Sequence, residues 1–197
     1  WYPRLVREIC DFMVEFRDPA TGLPKPSWDL WEERRGIHAN TVATVIAGLR
    51  AGAILALSLG DNIAAARWSE GAAELCDASK RHLFDETRGT FHRMLRPDGS
   101  PDLTIDSATL AFGLFGCFPT DDPWIVATAK TVEDALTVRS GIGGLARYQG
   151  DYYFRQSEHF PGNPWVICTL WLAQTKAMQS KAIDDMKPAI DALQWVR

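Results

Sequence analysis

The sequence predicts an all-α fold built of helical hairpins, and three observations predict it. Apolar residues recur at three- and four-residue spacing over several long segments, near-continuously apolar helices alternate with amphipathic ones, and the one strand-like stretch is short and irregular. Alternation of that kind implies an inner layer wrapped by an outer one, the logic of helical hairpins set in a ring.

The elements follow in chain order. Pro3 to Arg17 places Leu5, Val6, Ile9, Phe12, Met13 and Phe16 on one helical face. Asp18 to Gly36 carries Pro19, Gly22, Pro24 and Pro26, breaks both regular periods, and reads as a long loop of the kind that is usually functional. From His38 to Leu59 the chain is apolar or small on almost every side, with Arg50 its only charge. Its length would permit a membrane span, but an arginine near the centre costs roughly 2.5 to 3.5 kcal/mol in lipid, so a helix buried among others is the better account. Asp61 or Asn62 caps a helix running to about Lys80, and Gly89 to Asp102, with Pro97-Asp98-Gly99, forms a short irregular hairpin. Further helices are expected over Ser107–Phe115 with Asp106 as cap, Pro123–Leu136, Pro164–Gln179 and Lys181–Val196. No internal repeat or low-complexity tract is present, and a single globular unit is the simplest organisation.

Composition bounds the function. With 197 residues, 46% of them apolar, the chain can remove roughly 70% of its unfolded surface from water and needs no disulfide scaffold. Its 21 basic and 25 acidic residues leave a net charge of -4, so there is no general basic field for nucleic acid or an anionic membrane. Cys10, Cys76, Cys117 and Cys168 sit beside apolar residues without a CxxC pair and read as reduced core thiols. The histidines His38, His82, His92 and His159 lack ligand spacing, phosphate-loop and zinc motifs are missing, and GIGG over 141–144 reads as a flexible loop. No metal or cofactor is expected.

Carboxylates are more informative. Asp29, Glu32 and Glu33 lie in one loop with Trp28 and Trp31, and Arg34 and Arg35 follow at once. A carboxyl group beside an indole loses hydration and holds its proton more tightly, which suits a general acid; the same residues could also form a solvated loop of paired surface charges. A second cluster, Gly143 to Phe154, gathers Arg147, Tyr148, Asp151, Tyr152 and Tyr153 ahead of the GNPW that ends at Trp165. Aromatic faces beside arginine and carboxylates suit a sugar, whose C–H groups pack on rings while its hydroxyls take up hydrogen bonds; a tyrosine-rich cap over a helical core is the alternative.

At these residues the sequence resembles glycoside hydrolase family 15, the glucoamylase family that also holds glucodextranases and some trehalases. PSWDLWEERRG over 26–36 looks like that family's active-site loop, and ARYQGDYY with GNPWVICTLWLA looks like its substrate-arginine loop and the helix after it. The resemblance implies Glu32 as proton donor, Trp31 and Glu33 as sugar contacts at the cleavage point, and Asp29 as the acidic residue the family signature also marks. Arg147 matches the arginine that binds substrate hydroxyls, with Asp151 and Trp165 in supporting or structural positions. Lys25 stands where the signature has a small polar residue, and Arg34-Arg35 depart from the fungal version, differences that bear on the substrate rather than the reaction.

The fold so implied is part of an (α/α)6 toroid barrel. Twelve helices of ~15 residues with their connections need roughly 300 residues. The chain begins at Trp1 and stops at Arg197 inside a helical pattern, so it is expected to be a piece of such a barrel, without the upstream arginine and aspartate or the general base in a GxxxEQ-like loop. Glu158 has no family match and is expected at the surface, and half a ring would leave apolar faces needing the missing half or self-association.

The expected activity is release of glucose from α-linked oligosaccharides or disaccharides by inversion. The alternative is a non-catalytic glucoamylase-like domain for regulation or protein interaction, as in the regulatory subunits of phosphorylase kinase. No signal peptide is visible and a cytoplasmic location is expected.

Overall fold

The structure, a computed structural model, describes residues 1–196. The helices are α1 Glu8–Glu15, α2 Ala39–Ser58, α3 Asn62–Leu83, α4 Ala111–Leu114, α5 Pro123–Leu136, α6 Val166–Gln179 and α7 Lys187–Trp195. The strands, all short, are β1 Ser27–Trp28, β2 Arg35–His38, β3 Phe84–Asp85, β4 Thr90–Phe91, β5 Met94–Leu95 and β6 Pro101–Asp102. The chain divides into two compact units, one of Trp1–Phe84 with Met94–Pro101 and the other of Asp85–Arg93 with Asp102–Arg197. The sequence carries no linker to announce them, because the chain passes between units three times, at 84/85, 93/94 and 101/102, within ordinary turns.

The first unit is organised by α2 and α3. Val42, Ile46, Leu49, Ala53 and Ala56 of α2 are buried, as are Ala65, Trp68, Ala72 and Leu75 of α3, but α2, which by length and composition could cross a membrane, is buried along one face alone and not on all sides as expected: Ile54 and Leu57 are exposed. Small residues let the helices approach: a side chain at Gly52 would fall 2.5 Å from Cys10 Sγ and 3.3 Å from the Trp68 ring. Asp61 caps α3 as expected, accepting from the Ala64 amide at 3.2 Å. The predicted first helix starts as a wide-turn segment over Tyr2–Arg7 and tightens into α1, with Asp11 accepting from Trp68 Nε1 at 2.9 Å.

The 18–36 loop is more ordered than its prolines and glycines imply. Asp18 Oδ1 accepts from the amides of Ala20 and Thr21, and β1 pairs antiparallel with β2, Ser27 opposite Gly36 and Trp28 opposite Arg35. β2 then pairs with β5, Ile37 opposite Leu95, where a Cβ at Gly36 would lie 2.5 Å from the Leu95 carbonyl oxygen. Four loop residues, Ser27, Trp28, Arg35 and Gly36, thus anchor in the sheet that leads into α2.

In the second unit, Phe91, Phe112 and Phe118 pack with centroids 4.3 to 5.9 Å apart, and Val132, Leu136, Leu145 and Cys168 are buried in the same unit. Burial pushes the Cys168 thiol up to about 12, fixing it as a protonated core group, and all four cysteines are buried and unbridged. Asp106 caps the turn over Ser107–Leu110, accepting from the Ala108 amide at 2.8 Å. The helix expected over Lys181–Val196 opens as a tight turn over Ile183–Met186 that runs straight into α7: Asp185 accepts from the amides of Lys181 and Ala182 and so caps its start, and Pro188 lies in the first turn of α7, where a missing N–H is harmless. GIGG proves to be a docking turn. Gly143 and Gly144 adopt φ of +73° and +82°, and a Cβ at Gly144 would lie 2.4 Å from the Trp195 ring, whose Nε1 donates to the Ile142 carbonyl at 2.5 Å.

Candidate active site

The carboxylate loop of the first unit is a tight turn held by its own first acid. Asp29 Oδ1 accepts from the Glu33 amide at 2.7 Å and the Arg34 amide at 3.2 Å, and the Asp29 amide donates to the Arg34 carbonyl at 2.9 Å. The Glu32 amide closes the turn onto the Asp29 carbonyl at 3.1 Å. Arg34 Nη1 lies 2.7 Å from Glu33 Oε2 and 3.8 Å from Asp29 Oδ2, so one guanidinium ties both acids flanking the central position.

Glu32 sits at that centre with φ of +57°, one of two residues other than glycine given a left-handed backbone among those described. Such a conformation costs roughly 1 to 2 kcal/mol for a side chain like glutamate, and strain of this kind concentrates at functional sites, where the surroundings enforce it. Here the Asp29 hydrogen bonds do the enforcing. The Glu32 side chain is exposed, Trp31 is half-buried and Trp28 is 62% exposed, so within this unit the indoles flank the carboxyl without enclosing it, unlike the dehydrated pair the sequence implies. Lys25, the departure from the family signature, places Nζ 5.0 Å over the Phe16 ring.

The arginine cluster lies in the second unit. Arg147 is only 6% exposed, and Asp151 not at all. The two meet side-on: Nε donates to Oδ2 at 2.7 Å and Nη2 to Oδ1 at 2.9 Å, a bidentate geometry that fixes the plane of the guanidinium. That plane lies 4.8 Å from the Trp165 ring centre, 5.3 Å from Tyr153 and 5.2 Å from Tyr148. The sequence grouped these residues correctly, and the structure brings Arg147, Asp151 and Trp165 together. Asp151 touches the guanidinium and the Tyr153 amide rather than solvent.

The GNPW turn makes this possible. A side chain at Gly162 would fall 2.8 Å from Asp151 Cβ and 3.2 Å from Ala146 Cβ, so glycine lets the turn lie flat on the ion pair, while the Trp165 amide donates to the Leu145 carbonyl at 2.9 Å. Exposed Tyr152 and Phe154 lie beyond it, and Glu158 is exposed, as expected of a surface residue.

Sequence reasoning missed a second buried guanidinium in this unit. Arg93 donates to Asp102 Oδ2 at 2.8 Å and lies over the same Tyr148 ring at 5.3 Å. Burial alone would push the Asp102 carboxyl up, but hydrogen bonds from Arg93 and Thr104 outweigh it and hold the group at about 2. The available signal was a lone charge among apolar neighbours in GTFHRML.

The sequence pattern of glycosyl hydrolases family 15 matches residues 20–189, taking in both clusters. The chain belongs to glycosyl hydrolase family 15. An uncharacterized glycosyl hydrolase of Methanocaldococcus jannaschii is 31% identical over 149 residues, which is 75% of this chain and 22% of that protein. Among solved structures, a bacterial glucoamylase complexed with acarbose superposes with a TM-score of 0.78 at 22% identity, over 98% of this chain and 32% of its own. A glucoamylase from Saccharomycopsis fibuligera gives 0.66 at 21% identity, over 89% of this chain and 38% of its own. This family 15 chain therefore has the fold of part of a glucoamylase (α/α)6 barrel, and spans about a fifth of the length of the curated relative and a third of the bacterial enzyme.

Proposed function

We propose that this family 15 chain supplies the acid half of an inverting glycosidase that releases glucose from α-linked oligosaccharides or disaccharides. The carrying observation is the Asp29-stapled turn that holds Glu32, inside the matched family region, in a strained backbone with its carboxyl exposed. In an inverting reaction one protonated carboxyl gives its proton to the glycosidic oxygen as the bond to the anomeric carbon breaks, while a carboxylate on the opposite face takes a proton from the attacking water. Glu32 is the donor in this reading; the base comes from residues outside these 197.

The other residues take the roles that the family resemblance implies, and their contacts support them. Glu33, fixed by Arg34, and Trp31 face the sugar at the cleavage point; Asp29 shapes the turn that presents Glu32. Arg147 donates to substrate hydroxyls from a plane set by Asp151 and Trp165. The acarbose bound by the bacterial glucoamylase supports an oligosaccharide ligand.

Incubating the intact protein with maltose, isomaltose and trehalose, and reading the anomer of the first glucose by NMR, tests the proposal. Glu32→Gln should lower turnover by at least a hundredfold, the usual scale for loss of a general acid, while the melting temperature holds. Hydrolysis at a near-normal rate by that variant removes Glu32 from the role. Robust glucose release by the 197-residue chain alone overturns the external base.

A further inference from the structure

We infer that a cavity formed by the two ends of the acid loop, walled by Lys25 and Arg35, binds a phosphate group, free or carried on a small sugar. The cavity lies within the first unit, has a volume of about 460 Å³ and is lined by Phe16, Lys25, Pro26, Arg35 and Pro97. That is room enough for a small organic molecule. Lys25, Arg35 and Pro97 are all exposed, so a ligand reaches both cations from solvent.

Neither cation is spent on the protein. Among the described residues, no acid forms an ion pair with Lys25 or Arg35 and no acceptor takes a hydrogen bond from either side chain. Lys25 Nζ rests over the Phe16 ring at 5.0 Å instead. Asp29 and Glu33, the acids of the adjoining turn, are taken up by Arg34, which leaves Arg35 over. Asp98 follows Pro97, but its Oδ1 accepts from the Ser100 amide at 2.9 Å and the Ser100 hydroxyl at 2.6 Å, and it lines no part of the cavity.

Charge selects the ligand class. Two cations in a lining that holds no acid match the double charge of a phosphate better than the single charge of a carboxylate, the arginine offering a fork for two oxygens and the lysine a point charge for a third. Pro26 and Pro97 add apolar walls for the C–H face of an attached ring. Both cations stand on ordered backbone, since the Lys25 amide donates to the Phe16 carbonyl at 3.2 Å and Arg35 is paired with Trp28 in the β1–β2 ribbon, so only the two side chains have to settle on the ligand. Lys25 and Arg35 also bracket the segment that carries Glu32, and one anion gripped by both ties its ends together.

Binding is measured rather than turnover, so the outcome is independent of the glycosidase proposal. The intact protein is titrated by calorimetry with inorganic phosphate and with glucose 6-phosphate, the ionic strength held constant with chloride. Both should bind saturably at one site, and Lys25→Gln and Arg35→Gln should each weaken that binding about tenfold or more, the scale for losing a charged hydrogen bond, with the melting temperature of the unliganded protein unchanged. Lys181→Gln, which removes an exposed lysine of the second unit, should leave it unaltered. Tighter binding of glucose 6-phosphate assigns the site to a sugar-borne phosphate; equal or weaker binding assigns it to the free anion. Failure of both anions to bind at millimolar concentration, or binding that survives both substitutions in the cavity, overturns the inference. So does an equal loss in Lys181→Gln, the mark of general attraction by surface charge.

Discussion

Replacing Asp151 by asparagine should destabilise the second unit far more than the size of the change implies. The side chains are nearly isosteric, so packing is kept, but Arg147 at 6% exposure loses its counter-charge. An amide also cannot satisfy the three donors that now converge on the carboxylate, Arg147 Nε at 2.7 Å, Arg147 Nη2 at 2.9 Å and the Tyr153 amide at 3.0 Å, because its NH2 must face one of them. Breaking a buried pair by removing one partner costs about 3 to 5 kcal/mol. For a chain of this size each kcal/mol moves the melting temperature by about 2 to 4 °C, so a fall of roughly 6 to 20 °C is expected by circular dichroism at 222 nm. Exchanging both partners in Arg147→Met/Asp151→Leu should recover much of that loss, since it removes the stranded charge together with its partner. A single variant melting within about 2 °C of the parent, or a double variant as unstable as the sum of its parts, would refute the view that the bidentate pair sets the local stability.

Two further predictions concern features away from the proposed chemistry. Gly144→Ala should lower stability by at least 1 kcal/mol, because φ of +82° is strained for alanine and the added carbon lies 2.4 Å from the Trp195 ring; a change in tryptophan emission with the loss of melting temperature checks it. Asp102 should give an acid-dependent stability: its folded value of about 2 lies below the ordinary 3.8, so its contribution, roughly 2 kcal/mol at 1.36 kcal/mol per unit, is complete above about pH 4 and is lost as pH falls through 2. Melting curves from pH 6 to 2 should show wild type and Asp102→Asn converging across that window, and a constant gap would contradict the assignment.

How much the sequence reveals depends on whether a residue acts locally. α2 is legible because apolar and small residues run through it almost without a break, and the caps Asp61 and Asp106 are legible because a cap acts within three residues. The acid loop and the Arg147 loop are legible because their chemistry is concentrated in short motifs. By contrast, the division into two units is invisible, since the chain crosses between them at 84/85, 93/94 and 101/102 within ordinary turns and no linker marks the boundary. The tight turn that opens the last helix rests on Asp185 accepting from the amides of Lys181 and Ala182, a local choice that composition does not decide. Arg93 escapes notice because its partners Asp102 and Tyr148 lie nine and fifty-five positions away. Gly144, read as slack, is fixed by a tryptophan more than fifty residues on.

The left-handed backbone at Glu32 sets a conflict for anyone evolving this chain in the laboratory. Glycine, asparagine or aspartate would relax that position, so a screen that rewards only yield or heat resistance will drift toward them and erase the proposed proton donor unnoticed. Libraries selected for robustness should therefore hold residue 32 constant, and the depletion of glutamate there in an activity-blind pool is itself a readout of how much tension the turn carries.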